Sequence, residues 1–264
     1  MREILAHVPF RGVIRERSVE PYVRLFKALR TKRRVRGVLL DISSGGGEVI
    51  ASMDLYLAVK RLDRVKPVFT SIGATGASGA YMAALGGRRV FAYPESEVGS
   101  IGVVYAHFAL RELARRLGVS VELLHAGVHK DAYQGYRSLS EEERAKIQAI
   151  TQETYDQFVE LVARERKRPV EEIRALATGE FWTGQAALKL GLVDALADRE
   201  LALEELARFT GVPARKAVRV GPPRPFLERV LSGGSNDLGG GLFGRVHDVL
   251  EDSLFELGGY SFRR

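Results

Sequence analysis

Two hydrophobic patterns alternate along most of the chain: short apolar runs that end in glycine- or serine-rich turns, and stretches whose apolar residues recur every three to four positions. A strand is expected at about 3–10, then a polar turn, then a helix opened by Pro21 and running to about Arg30 with Tyr22, Leu25, Phe26 and Leu29 on one face. The run from Val35 to Ile42 reads as a buried parallel strand. Ser43-Ser44-Gly45-Gly46-Gly47 leads from it into a helix at about 48–63 carrying Val49, Ile50, Met53, Leu57 and Val59. The unit then repeats: strand Pro67–Ser71, turn Gly73–Gly79, helix from Gly79 to about Leu85, strand Arg89–Ala92. Further on, Leu110–Leu117 reads as helix, Val121–Leu124 as strand, and Ser140–Lys167 as a long amphipathic helix opened by a capping box, Ser140 to Glu143. Helical signals continue to about Phe209. Strands alternating with helices predict an α/β layered fold with ligands at the carboxyl ends of the strands.

After Gly211 the pattern breaks. The stretch 212–241 holds Pro213, Pro222, Pro223 and Pro225 and many glycines, and reads as a linker with a helical turn or two around Phe226–Leu231. Periodicity returns at the end, where Leu242, Phe243, Val246, Val249, Leu250, Leu254 and Leu257 line one face of an expected helix and Asp248, Glu251 and Asp252 the other. The expected domains are therefore 1–211, a folded domain, and 212–264, a flexible extension whose helix packs on its own domain or on a neighbouring subunit.

Composition narrows the chemistry. The 264 residues, 45% hydrophobic and 28% charged, suffice for a sizeable core. No run is long and apolar enough to span a bilayer, and Met1–Phe10 lacks the apolar stretch of a signal peptide. There is no cysteine, so thiolate nucleophiles and Cys-ligated zinc are excluded, and His7, His107, His125, His129 and His247 show no metal-ligand spacing. No metal or other cofactor is expected. The net charge of +7 is compatible with anionic partners, but the densest basic cluster, Arg30–Arg36, lacks interleaved aromatics and reads as a solvated helix end, not a nucleic-acid patch.

The glycine turns match neither the P-loop nor the dinucleotide fingerprint. More telling is Gly76-Ala77-Ser78-Gly79, which places a serine at a strand-to-helix junction, where free N–H groups face a developing oxyanion. On residue type and position alone, a plain helix N-cap is the stronger reading. A nucleophilic serine needs a base, and the candidates are His107, His125, His129 and lysines in turns. Lys130 stands out because it lies in a short polar loop, Gly127–Asp131, whereas most lysines sit on solvated helix faces. To act as a base near neutrality, an ammonium must fall from ~10.4 to about 7–8, a cost of roughly 4 kcal/mol that only a pre-built pocket can meet.

Gly76–Tyr81, then Gly99-Ser100-Ile101-Gly102-Val103, Gly127–Lys130, Ser138–Glu143, Thr183–Ala186 and Gly191–Asp194, taken in order, resemble the signal peptide peptidase A (protease IV) family over about residues 5–210. The resemblance implies the Clp-protease/crotonase fold, a superhelix of repeated β-β-α and βαβ units, and a Ser-Lys dyad without histidine. By motif position Ser78 is the nucleophile, Lys130 the general base and Ser100 the group that orients the lysine, while the N–H groups of Gly45 and Gly79 form the oxyanion hole. Tyr81, Met82 and Ile101 are assigned to an apolar substrate pocket near the Ser78 turn. Where the family usually has Asn-Ser-Pro before the oxyanion glycines, this chain has Ile42-Ser43-Ser44. The implied substrates are hydrophobic peptides, such as remnant signal peptides, bound as extended strands. The implied assembly is a homo-oligomer in which serine and lysine can come from different subunits. Bacterial members commonly carry an N-terminal membrane anchor that this chain lacks, so either an anchor has been removed or this member is soluble. Two other readings stay open: a Clp-type Ser-His-Asp peptidase using His107, and an inactive peptide-binding scaffold in which Ser78 only caps a helix. A crotonase-like acyl-CoA enzyme would share the oxyanion hole without needing this serine and lysine.

Overall fold

The computed structural model describes residues 3–222. Strand β1, Ile4–Arg11, is followed by α1, Glu16–Thr31; β2, Val35–Ser44; α2, Val49–Asp63; β3, Val68–Ala77; α3, Gly79–Ala84; β4, Arg89–Ala92; and β5, Glu97–Gly99. Then come α4, Arg111–Arg116; a 3-10 turn at Ala132–Gln134; α5, Glu141–Arg166; α6, Val170–Leu176; β6, Phe181–Thr183; α7, Gly184–Lys189; β7, Ala195–Leu196; α8, Arg199–Thr210; and β8, Ala217–Arg219. These elements fall into two compact units. The first holds the chain up to Val104 together with Arg144–Pro222, and the second is Tyr105–Glu143.

The first unit is an α/β layer structure. Its sheet runs β6-β5-β3-β2-β1-β8, with β4 pairing β3 and β7 pairing β4. All pairings are parallel except β5 with β6. Strand β3 has two neighbours in succession along one edge: Phe69–Ile72 pair with β4 and Thr75–Ala77 with β5. Strand side chains alternate between two cores. Ala6, Val8, Phe10, Val38, Leu40 and Ile42 are buried with Phe26, Leu55, Val59, Val159 and Val162 of α1, α2 and α5. Leu5, Leu39, Phe69 and Phe91 are buried with Ala202 and Leu206 of α8. Both faces being covered explains why β2 reads as an almost unbroken apolar run.

Several boundaries differ from the sequence expectation. Helix α1 begins at Glu16, not at Pro21, because the polar stretch before the proline supplies its own first turn: the Arg15 N–H donates to Ser18 Oγ at 2.9 Å, and the Val19 N–H donates to the Arg15 carbonyl at 2.9 Å. Pro21 sits inside that helix. The strand expected at Val121–Leu124 is irregular backbone, as the second unit offers no described strand to pair with it, and Leu124 is 91% exposed. The sheet also extends past Gly211: Val212 is buried, and Ala217–Arg219 pair in parallel with Leu5–His7. The helical turns expected at Phe226–Leu231 and the helix at 242–257 lie outside the described residues. Among the described residues no helix is long and apolar enough to cross a membrane.

Candidate active site

Strands β2, β3 and β5 are consecutive in the sheet and end together, with Ser44 paired to Gly76 and Ala77 paired to Gly99. The Gly45–Gly47 loop, Ser78 and Ser100 therefore emerge side by side at the carboxyl edge of a parallel sheet, where this class of fold places its ligands. The Gly45–Gly47 loop is pinned by the segment after β1. The Ile14 N–H donates to the Gly46 carbonyl at 2.8 Å, and the Glu48 N–H donates to the Ile14 carbonyl at 2.9 Å. The Gly46 N–H donates to Ser44 Oγ at 3.1 Å. Those bonds hold the loop, which no proline directly precedes.

Ser78 occupies the N-cap position of α3 with φ +50° and ψ −123°, a conformation that L-residues rarely adopt. Its side chain makes no capping bond, and among the described residues Oγ has no hydrogen-bond partner. The turn is held through the backbone instead: the Ser78 N–H donates to the Gly99 carbonyl at 2.8 Å, and the Ser78 carbonyl accepts from the Met82 N–H at 3.0 Å. The N–H of Gly79 has no acceptor among the described residues. Close packing explains the glycines. A Cβ on Gly79 would lie 1.9 Å from Ser52 Oγ, and one on Gly46, whose φ is +98°, would lie 2.8 Å from the Gly79 nitrogen and 2.9 Å from Ser78 Cβ.

Ser78 and Gly79 open onto a cleft walled by Gly47, Val49, Met53, Met82, Val103 and Phe158, with Ser52, Gly102, Thr154 and Gln157 completing the lining. None of these residues titrates. None of them could therefore act as a base toward Ser78. Of the expected substrate residues, Met82 lines the cleft. Tyr81 does not: it is fully buried, its hydroxyl donates to the Leu192 carbonyl at 2.7 Å, and burial pushes its phenol far above the ordinary value. Ile101 is likewise 1% exposed and forms no part of the lining. Gly47 stands on the cleft wall, whereas Gly45 is exposed outside the lining. Sequence patterning gave no signal for Phe158, which comes from α5, eighty positions after Ser78. Ser100, half-buried with φ +47°, donates its N–H to the Glu180 carbonyl at 2.8 Å.

Lys130 belongs to the second unit. It is exposed, on a turn closed by its N–H donating to the Gly127 carbonyl at 3.1 Å. The turn is tied down next door. Arg137 makes paired bonds to the Asp131 carboxylate at 2.7 and 2.9 Å and to Glu143 at 2.8 and 2.8 Å. Glu143 closes the expected capping box with Ser140, accepting its N–H at 2.8 Å. Arg137, helped by the Ser140 N–H, holds the Glu143 carboxyl well below the usual carboxylate range, and Arg137 likewise lowers Asp131. The ring of His107 is bonded to a backbone carbonyl, that of Arg137 at 2.8 Å, in place of the carboxylate a catalytic triad needs. The His125 ring lies 3.2 Å from the Gly127 carbonyl, and the His129 ring faces Glu142 at 3.4 Å and Glu143 at 3.5 Å. Among the described residues no group of three metal-ligating side chains is placed to hold an ion.

Residues 60–212 match the model of peptidase family S49. The chain is 33% identical over 90% of its length to a Synechocystis protein named, by inference, as a protease, and covers 86% of that protein. A Methanocaldococcus jannaschii protein named in the same way is 36% identical over 76% of the chain, which covers 64% of it. An Enterococcus faecium protein provisionally named signal peptide peptidase SppA is 32% identical over 69% of the chain, which spans about half (53%) of that relative.

Proposed function

The chain belongs to peptidase family S49, and on that premise we propose that it is a serine endopeptidase in which Ser78 is the nucleophile and Lys130 the general base. The observation that carries this reading is the state of Ser78: strained backbone, uncapped hydroxyl and an unbonded N–H on the next residue, all facing one cleft. A serine that only capped a helix would have an extended backbone and a side chain bonded to the helix N-terminus. Neither holds here.

In the proposed cycle the uncharged Lys130 amine takes the proton of the Ser78 hydroxyl as Oγ bonds to the scissile carbonyl carbon. The oxyanion is met by the N–H of Gly79 together with one from the Gly45–Gly47 loop: Gly45 by family likeness, or Gly47, which lines the cleft. The Lys130 ammonium then protonates the leaving amine, and water repeats the sequence to release the acyl group. Ser100, the residue after β5, is assigned to orient Lys130. Apolar walls at Met53, Met82 and Phe158 favour hydrophobic peptides such as remnant signal peptides. Because no lining residue can act as the base, we also propose that the site is completed in a homo-oligomer, with Lys130 delivered from the same or a neighbouring chain. The parallel succession β1-α1-β2-α2-β3 supports the Clp-protease/crotonase type of superhelix.

A fluorophosphonate probe tests the assignment. Wild type should be labelled, and Ser78→Ala should not. Lys130→Ala should lose about 10²–10⁴-fold in labelling and peptide hydrolysis, the usual range for a missing general base, while His107→Ala keeps most of both. The opposite pattern for Lys130 and His107 would install the triad, and no labelling of an assembled wild type would leave a peptide-binding scaffold.

A further inference from the structure

At the amino ends of β2 and β3, opposite the cleft, the fold gathers two basic runs that are well separated in sequence. The first leaves α1 as Arg30, Arg33 and Arg34; the second closes α2 as Arg61, Arg64 and Lys66. Lys66 joins them, since its ammonium donates to the Leu29 carbonyl at 2.6 Å and to the Lys32 carbonyl at 2.6 Å. Cations suit helix carboxyl ends, which accounts for Arg30 and Arg61. It accounts equally for Arg64, which caps the carboxyl end of α2, but not for Arg33 and Arg34, which lie in the turn beyond α1. All of these arginines are exposed, and among the described residues none has a carboxylate within ion-pair distance. The nearby acids are taken: Asp63 accepts from Arg88 Nε and from the Val68 N–H, each at 2.8 Å, and Glu3 pairs with Arg36 at 3.6 Å.

We propose that this basic pole is a docking surface for the anionic headgroups of a lipid bilayer. A cluster of four to eight Lys/Arg is the charge density that such membranes recognise. The patch suits lipid better than single-stranded nucleic acid, because neither run contains an aromatic side chain to stack on a base, and Val65, between Arg64 and Lys66, is a branched aliphatic left 57% exposed, of use at a bilayer surface and not on a phosphate backbone. At ~3.3 Å per residue, β2 and β3 put the pole about 30 Å from Ser78, so docking leaves the cleft free.

The test is vesicle co-sedimentation of the full chain with phosphatidylcholine alone and with phosphatidylglycerol added. Binding should need the anionic lipid and fall with salt. At about fivefold per cation, Arg33→Glu with Arg34→Glu should weaken partitioning by at least about 25-fold, and adding Arg61→Glu and Arg64→Glu by more than about a hundredfold. The charge-matched pair Arg115→Glu with Arg116→Glu, in α4, should bind as wild type does. Hydrolysis of a short soluble peptide should be unchanged in all these variants, which keeps the outcome separate from the peptidase assignment. Equal losses in the two double variants, or equal binding to neutral vesicles, would overturn the proposal. So would tighter binding to duplex DNA than to the anionic vesicles at the same salt, which would make the pole a nucleic-acid surface.

Discussion

Ser78 and Ser100 hold matching positions on adjacent strands: each follows one member of the Ala77–Gly99 pair, each has a left-handed φ, +50° and +47°, and the Ser78 N–H donates to the Gly99 carbonyl at 2.8 Å. Two non-glycine residues in that region, side by side at the end of a parallel sheet, store local strain where the surrounding packing fixes them. Outliers of this kind cluster at functional sites.

Replacing Ser78 by glycine should separate strain from chemistry. Glycine accepts φ +50° freely, so Ser78→Gly should raise stability by about 1 kcal/mol after its own entropy cost, a gain of a few degrees in Tm, while removing probe labelling. A lower Tm in thermal unfolding would show that the serine is a stabilising element of the turn.

Gly46→Ala should damage the site by crowding both Ser78, whose Cβ would lie 2.9 Å from the new methyl, and Gly79. The new methyl would stand 2.8 Å from the Gly79 nitrogen, closing the approach to that N–H, and φ +98° would be strained. We expect a cost of about 1–3 kcal/mol in stability and a loss of about a hundredfold in kcat, the scale for one oxyanion donor. Wild-type kcat in a folded Gly46→Ala protein would remove this N–H from the mechanism.

Strand β2 was legible because it is long, apolar and closed by glycines, and the Ser78 junction could be located from the glycines around it; β3 was legible only over Pro67–Ser71, because Gly73 and Gly76, which mark a turn in sequence, lie inside a strand that runs to Ala77. The direction of side chains around the junction was not legible. Helix α3 is six residues long and buried on every side, so no periodicity distinguishes Tyr81, which enters the core, from Met82, which reaches the cleft. Strands β5 and β6, three residues each, are too short to show a pattern. The start of α1 was hidden by a different cause: a proline that usually opens a helix here lies inside one whose first turn is made by Arg15 and Ser18.

Tyr81→Phe and Met82→Ala should therefore have opposite signatures. Losing the Tyr81 hydroxyl leaves the buried Leu192 carbonyl without its 2.7 Å donor, costing about 1–3 kcal/mol of stability with KM for a hydrophobic peptide unchanged. Met82→Ala removes part of the cleft wall and should raise KM severalfold. Peptide kinetics alongside denaturant unfolding check both, and a KM change in folded Tyr81→Phe would return that residue to the substrate site.

Arg137 should act as the residue that positions the Lys130 turn, since it clamps the neighbouring Asp131 carboxylate and Glu143 from one guanidinium. Arg137 lowers the pKa of both carboxyls. A group whose folded pKa is depressed stabilises the protein fully above its unfolded value, near 4 for these side chains, and loses that contribution as the pH falls through the folded values. Arg137→Gln should accordingly lower Tm at neutral pH, and the gap from wild type should close as the medium is acidified below about pH 4. If the clamp serves Lys130, the variant also loses kcat more than it gains KM, and Arg137→Lys restores part of the stability but less of the rate, because an ammonium cannot reproduce two bidentate contacts. A Tm gap that persists unchanged into acid would show that the clamp's charges contribute nothing, and an unaltered kcat in folded Arg137→Gln would detach it from the proposed base.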